Sequence, residues 1–324
     1  MPNKSTGTTI PRGDLYGSLE EAPRQQNLIA ASILPPMKTP LKTGSFGVIP
    51  LEAMITLPAS IKRSPKTGYA RGDWTFGSLS YACDEYGWEE VSDDGEARNY
   101  ANYFDYQAVL AGRGNTIVDL MQEKRVMTLV HNTTTYPLSG NTGKSVSVEW
   151  DTSTADILGD INDGIAGVRA RCGLVPDTLQ VAFNTWRDMW VNTGIRGAVQ
   201  YVMQANIPSP DDLGARTEMA RILGLQNPIE VAYAYSNTAA EGQTPTPSDI
   251  WDDEYAFLFK RGVAENVQAA GLGHIFYWDE DGGMKSVEEY REDRTRGGVI
   301  RVRQVVQEKI KFSEVGYLFG NIHT

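Results

Sequence analysis

The densest group of titratable side chains lies between Asp73 and Asp105. There, nine carboxylates (Asp73, Asp84, Glu85, Glu89, Glu90, Asp93, Asp94, Glu96 and Asp105) stand against one base, Arg98. A pair of carboxylates can do general acid–base work, but no spacing here sets two of them apart. The three histidines, His131, His274 and His323, are scattered, and no serine or cysteine sits in a G-x-S-x-G context. GNTGKS at 140–145 approaches a phosphate loop, which requires a glycine where Leu138 stands and a helix immediately after it. The residues that follow, SVSVEW from Ser145 to Trp150, alternate as a strand does. Asp279-Glu280-Asp281-Gly282-Gly283 gathers hard oxygen ligands suited to calcium, but without the loop spacing or the distal glutamate, and reads as a solvated hairpin turn. Arg-Gly-Asp occurs at 12–14 and 71–73, and a turn with an ion pair accounts for each. The sequence therefore offers no catalytic, cofactor-binding or metal-binding residue, and its carboxylates read as solvated surface.

Composition sets the frame in which these groups must be placed. The chain has 324 residues, 41% of them hydrophobic and 22% charged, enough for two domains or for one with large excursions. No apolar run is long enough to span a membrane, and the N-terminus has no secretory apolar core, so a cytosolic setting is expected. Cys83 and Cys172 then read as free, buried thiols, and the N-x-T match at Asn132 needs no glycan. The seven tryptophans read as core or interface anchors. The net charge of −11 is uneven: residues 1–71 carry nine bases against four acids (+5), which leaves −16 on the remainder. A chain basic at one end and acidic over the rest can complement copies of itself. It lacks the clustered basic face that tight nucleic-acid binding requires.

The elements follow from periodicity and punctuation. Residues 1–26 are polar and read as an arm. NLIAASILPPM, from 27 to 37, is a short apolar segment stopped by Pro35-Pro36. Short strand-like pieces follow, and the basic SIKRSPKTGYARG at their centre has no core face, as the tip of an extended hairpin would. The pattern predicts one long helix over 104–131, interrupted in propensity by Gly112 and Gly114. The middle alternates α and β. A capping box at Ser153 and Asp156 opens a helix lined by Ile157, Ile161, Ile165 and Val168, and Gly173 and Pro176 close it. Leu179 to Phe183 is a buried strand, Asn184 caps a helix carrying Trp186 and Trp190, and Asp211 and Asp212 open another that Gly224 stops. Strands return at 229–235, 254–259, HIFYW, GGVIRVRQVVQEKIKF and VGYLF.

This order of segments resembles the major capsid proteins of tailed bacteriophages, which have the Hong Kong 97-type fold. The resemblance rests on GDW at 72–74, YACDEYGWEEVSDD at 81–94 ahead of the long helix, and WDTSTADILGDINDGIAGVRARCGLVPDTLQVAFNTWRDM. It rests further on SNTAAEGQ at 236–243 with DIW after it, and on the closing VGYLFGNI. It spans roughly residues 27–322 and implies an α+β fold. Its parts would be an N-terminal arm and lead-in (1–37), an extended β-hairpin loop (38–98) and a peripheral domain with a spine helix (99–151). An axial domain (152–270) and a C-terminal return to the peripheral domain (271–324) would complete it. It implies no enzyme activity, cofactor or metal. It implies self-assembly into hexamers and pentamers of an icosahedral head around double-stranded DNA, in the virion after assembly in the host cytoplasm. Partners implied are a portal, a separate scaffolding protein (only about 26 residues precede the first apolar segment) and, in some relatives, a decoration protein. DNA is met by non-specific proximity, and no membrane is involved. The basic residues Arg12, Arg24, Lys62, Arg63, Lys66 and Arg71 are expected at contacts between subunits, with the carboxylates of 73–105 offering surface to neighbours. Two other readings fit: an encapsulin-type bacterial compartment shell, and a soluble α/β enzyme with an unrecognised carboxylate site.

Overall fold

The computed structural model describes residues 10–11, 28–72, 75–100, 105–203, 209–210, 212–240, 242–294 and 296–324. Its first sheet is built around Gly297–Ile310, a fourteen-residue strand. One edge of that strand pairs antiparallel with Gly273–Trp278 and then Ser286–Glu292; the other edge pairs with Asp84–Asp93. Pro36–Thr39 extends this sheet in parallel beside Gly273–Trp278, and Ile10–Pro11 pairs with Ser286–Glu292. Because side chains alternate along a strand, Ile300 and Val302 point to one face and Arg301 and Arg303 to the other.

The apolar face is covered by the long helix Tyr106–Val130, as the periodicity predicts. Leu110, Ala111 and Val118 pack with Val287, Ile300 and Val302. Asp105 starts the helix by accepting the amides of Gln107 and Ala108. Gly114 is explained by close approach, since a Cβ there would lie 3.0 Å from Val302 Cγ2. The helix also buries Gln122 and Glu123, because its second half is enclosed by the rest of the protein as well as by the sheet. That double coverage is why its apolar period is weak.

The second sheet runs in the order Gly143–Ser145, Gly316–Gly320, Tyr255–Phe259, Thr178–Ala182, Glu230–Ala232. Helix Ile157–Cys172 lies against it, and Gly164 allows the contact: a Cβ there would be 2.7 Å from Phe319 Cζ and 3.0 Å from Leu258 Cδ2. Gly173, at φ 72°, ends the helix in the left-handed conformation.

Three local expectations are corrected here. The cap of that helix is Asp156, which accepts the amide of Gly159; Ser153 is held in the preceding turn, its carbonyl receiving the amide and hydroxyl of Thr193. The strand expected at Ser145–Trp150 is Gly143–Ser145, because the backbone beyond follows the chain end only at intervals (Val146 N–H to Gly320, Trp150 N–H to Ile322) while Val148 turns outward. Asn184 lies inside helix Phe183–Val191, its amide donating to Asp253. The capping asparagine is Asn192, whose Oδ1 accepts the amides of Gly194 and Ile195 ahead of helix Thr193–Met203. Asp212 does cap helix Leu213–Ile222; Asp211 lies outside the described residues.

The expected hairpin is present: Thr43–Val48 pairs antiparallel with Gly77–Ala82. Its base is fastened to the first sheet by aromatic contacts, Phe46 to Phe276 at 5.3 Å and Tyr81 stacked on Phe276 at 5.1 Å. Beyond it, Leu51–Ile55 forms one helical turn and residues 56–76 form no further strand among those described. Cys83 and Cys172 are buried and free.

Candidate assembly surface

The chemistry-bearing motifs find partners inside the subunit. Lys144 of GNTGKS reaches two carboxylates of the neighbouring helix, Asp160 at 2.8 Å and Asp163 at 2.7 Å, and those bonds raise its pKa. An ammonium so engaged in a strand that no helix follows is not a phosphate cradle. Asp279 of the acidic turn pairs with Lys38 at 2.8 Å, and Gly282 and Gly283 (both φ 89°) turn the chain back. His131 is buried against Gln180 (2.9 Å), and burial pushes its pKa down to about 4. His274 meets the carbonyl of Val263 and His323 meets Asp188, each in a different place. Among the described residues no three His, Cys, Asp or Glu side chains are grouped to hold a metal.

The acidic stretch is organised differently from the sequence reading. Seven of its nine carboxylates serve the subunit's own structure. Asp93 caps Asp94–Tyr100 through the amides of Gly95 and Glu96, and Asp105 caps the long helix. Glu96 accepts the hydroxyl of Tyr106 at 2.7 Å, which pushes that phenol up to about 12. Glu90 pairs with Arg113 at 3.3 Å, and Asp94 with Arg291 at 2.8 Å, whose hydrogen bonds hold the Asp94 carboxyl below its ordinary value. On the open face of the first sheet Glu89 meets Arg301 at 2.6 Å and Glu85 lies 3.9 Å from Arg303. Both arginines also reach Glu288 from the next strand, at 3.6 and 2.7 Å. Three strands are thereby cross-braced by opposite charges. Arg291, Arg301 and Arg303 lie about two hundred residues from the acids they meet, and antiparallel register brings them together. Asp73 lies outside the described residues.

The hairpin loop behaves in the opposite way. Lys62, Arg63, Lys66 and Arg71 are exposed, and no carboxylate among the described residues pairs with any of them. The tip orders itself: Thr67 closes a turn onto the Ser64 carbonyl, Arg63 Nε donates to the Thr67 carbonyl at 2.7 Å, and its guanidinium lies 5.1 Å from the Tyr69 ring centre. Lys66 takes φ 68° within that turn. Beside these cations stand Leu57 at 89% exposure, Ile61 at 80% and Phe76 at 70%, which sequence reasoning did not single out. Burying such a side chain is worth roughly 1.5–3 kcal/mol, so a loop that leaves three of them in water has surface to offer a partner. Their signal in the sequence was the absence of any alternation placing them on a core face. Arg12 and Arg24 lie outside the described residues.

No protein-family model and no curated protein matches the sequence. Solved structures do match, over nearly the whole length. A phage-related protein from Bordetella bronchiseptica RB50 is similar at a TM-score of 0.67 and 14% identity, covering 97% of this chain and 98% of that one. The capsid of the cyanophage P-SCSP1u is similar at 0.52 and 12% identity, covering 100% and 91%. The chain has the Hong Kong 97-type capsid fold. A virus-like particle from Pyrococcus furiosus is similar as well, at 0.53 and 10% identity over 94% and 97%. At these identities the likeness is one of fold, α+β as the resemblance implied.

Proposed function

We propose that this chain is the major capsid protein of a tailed double-stranded DNA bacteriophage, assembling into the hexamers and pentamers of an icosahedral head. The observation that carries the reading is the hairpin loop: four exposed cations that no carboxylate among the described residues pairs with, and three exposed apolar side chains, on a chain with a capsid fold. In this reading 1–37 is the arm and lead-in, 38–98 the extended loop, 99–151 the peripheral domain with the spine helix and 152–270 the axial domain. Residues 271–324 return to the peripheral domain and, through Gly316–Gly320, also contribute a strand to the second sheet. The mechanism is conformational rather than catalytic. Many similar contacts, each weak, let one subunit serve in different environments, and the loop and arm tie neighbours together. A portal, a separate scaffolding protein and a decoration protein belong to the same reading, with Arg12, Arg24, Lys62, Arg63, Lys66 and Arg71 at contacts between subunits.

The test is reversal of charge at the tip. Lys62→Glu, Arg63→Glu and Lys66→Glu together leave the subunit folded, as read by circular dichroism and thermal melting, and reduce the yield of shells in negative-stain images. Shells at wild-type yield would remove the role given to the tip; a stable monomer from the unaltered protein under assembly conditions would overturn the function. The likeness to the Pyrococcus particle supports a second reading, an encapsulin-type compartment. The two differ in what purified particles contain: DNA introduced through a portal, or a cargo protein.

A further inference from the structure

The long helix carries a buried carboxylate that none of the roles above uses. Glu123 is 1% exposed. Its Oε1 accepts the backbone N–H of Ala30 at 2.8 Å, and its Oε2 accepts the indole N–H of Trp251 at 2.7 Å. Neither donor is a cation, and no lysine or arginine among the described residues pairs with it. These two bonds join three parts of the chain far apart in sequence: the lead-in at 29–34, the middle of the long helix, and the loop ahead of strand Tyr255–Phe259. Ile29, Ala30, Ile33 and Leu34 of the lead-in are all buried, so its attachment is a packed joint with one ionisable group at its centre.

We propose that Glu123 is a proton-linked clasp, holding the lead-in against the long helix when protonated and loosening it when ionised. Two effects compete at this side chain. The N–H donors favour the carboxylate, whereas burial without a counter-ion favours the neutral acid. Burial wins, and raises the group to about 7.

The other titratable groups at the joint do not take over this role. Asp119, one turn earlier on the helix, is paired with Lys285 and adds a small repulsion that favours protonation. From the lead-in only Ser32 is polar, and it bonds Glu230, which itself pairs with Arg261. On the third element Trp251 is followed by Asp252, Asp253 and Glu254. His131 packs edge-on against the indole at 5.4 Å and stays neutral near pH 7.

The sign follows from linkage. Between the unfolded value of 4.5 and the folded value of about 7, the closed joint holds a proton that the open one releases. Closure is therefore firmest at acid pH and weakens as pH rises through 7, the opening constant growing on the order of a hundredfold. The lead-in connects the upstream strand Ile10–Pro11 to Pro36–Thr39 and the hairpin, so its looseness reaches both segments.

Hydrogen exchange read by mass spectrometry on the full chain, from pH 5.5 to 8.5 and corrected for the intrinsic pH dependence of exchange, tests the clasp. Opening of the peptide containing 28–34 should rise with a midpoint near pH 7 and become flat in Glu123→Gln. Should that variant fail to fold, infrared difference spectra of the unaltered protein replace it, and should show a carboxylic-acid carbonyl band disappearing over the same range. Equal pH dependence in wild type and variant, a flat wild-type profile, or the absence of that band would overturn the proposal. Each readout concerns the single subunit, so the result stands apart from whether shells form.

Discussion

Glu288 shows how much one side chain can be asked to do. It sits between Arg301 and Arg303, and the Arg303 and Glu288 side chains are only 16% and 12% exposed. A charge-assisted bond this sheltered is worth more than a surface pair, and removing one partner strands the other. Arg303→Ala is expected to lower subunit stability by about 1–3 kcal/mol in urea denaturation. Alanine at the exposed Lys62 or Lys66 should change it by less than about 0.5 kcal/mol. The same contrast separates the acids from the loop bases. The acids looked in sequence like a free surface and are largely engaged at home, whereas the bases have no described carboxylate partner. Spacing along the chain could not distinguish the two cases, because Arg291, Arg301 and Arg303 reach the acids only through antiparallel register.

Elements are placed here by small residues as much as by large ones. Gly114 lets the long helix close on Val302, and Gly164 lets helix Ile157–Cys172 close on Phe319 and Leu258. In an exposed helix, alanine would be better than glycine by about 1 kcal/mol. At 164 the new methyl would enter occupied space, and overpacking of a core costs about 1–3 kcal/mol. Gly164→Ala should therefore destabilise the subunit on balance, seen as a lower urea midpoint with an unchanged slope. A midpoint above wild type would mean that the sheet yields more easily than the packing suggests. The sequence marked Gly114 as a propensity fault and passed over Gly164; the side chains of the facing sheets supply the reason for both.

At the scale of the whole molecule the division is between surfaces finished within the subunit and surfaces left open. The two sheets and their helices share a continuous core that runs from Ile29 and Ile33 through Trp251 to Phe319 and Ile322. The hairpin joins that core at its base, through Val48 with Phe46 and Leu79, and beyond it Leu57 and Ile61 stand exposed. Leu57→Ser with Ile61→Ser should leave the melting temperature of the subunit within about 2 °C, because neither side chain is buried in it. Under the proposed function the same pair should reduce shell formation, scored by particle counts in negative stain. A large fall in melting temperature would show that the loop folds back onto its own subunit in solution.

The resemblance supplied the α+β class; residue pattern alone was sufficient for the mixture of helices and strands, the long helix, the hairpin with its coreless basic tip, the free buried cysteines and most strands. Each of these rests on local periodicity or on punctuation by Gly, Pro and capping acids. Capping failed where turns competed: Ser153 and Asn184 carry the right side chains, but tertiary hydrogen bonds with Thr193 and Asp253 use those residues for other purposes. The charge ladder, the close contacts at Gly114 and Gly164 and the buried Glu123 were decided only in three dimensions. Each joins residues from about a hundred to two hundred positions apart, and the energy of such contacts depends on burial and register that no local window contains.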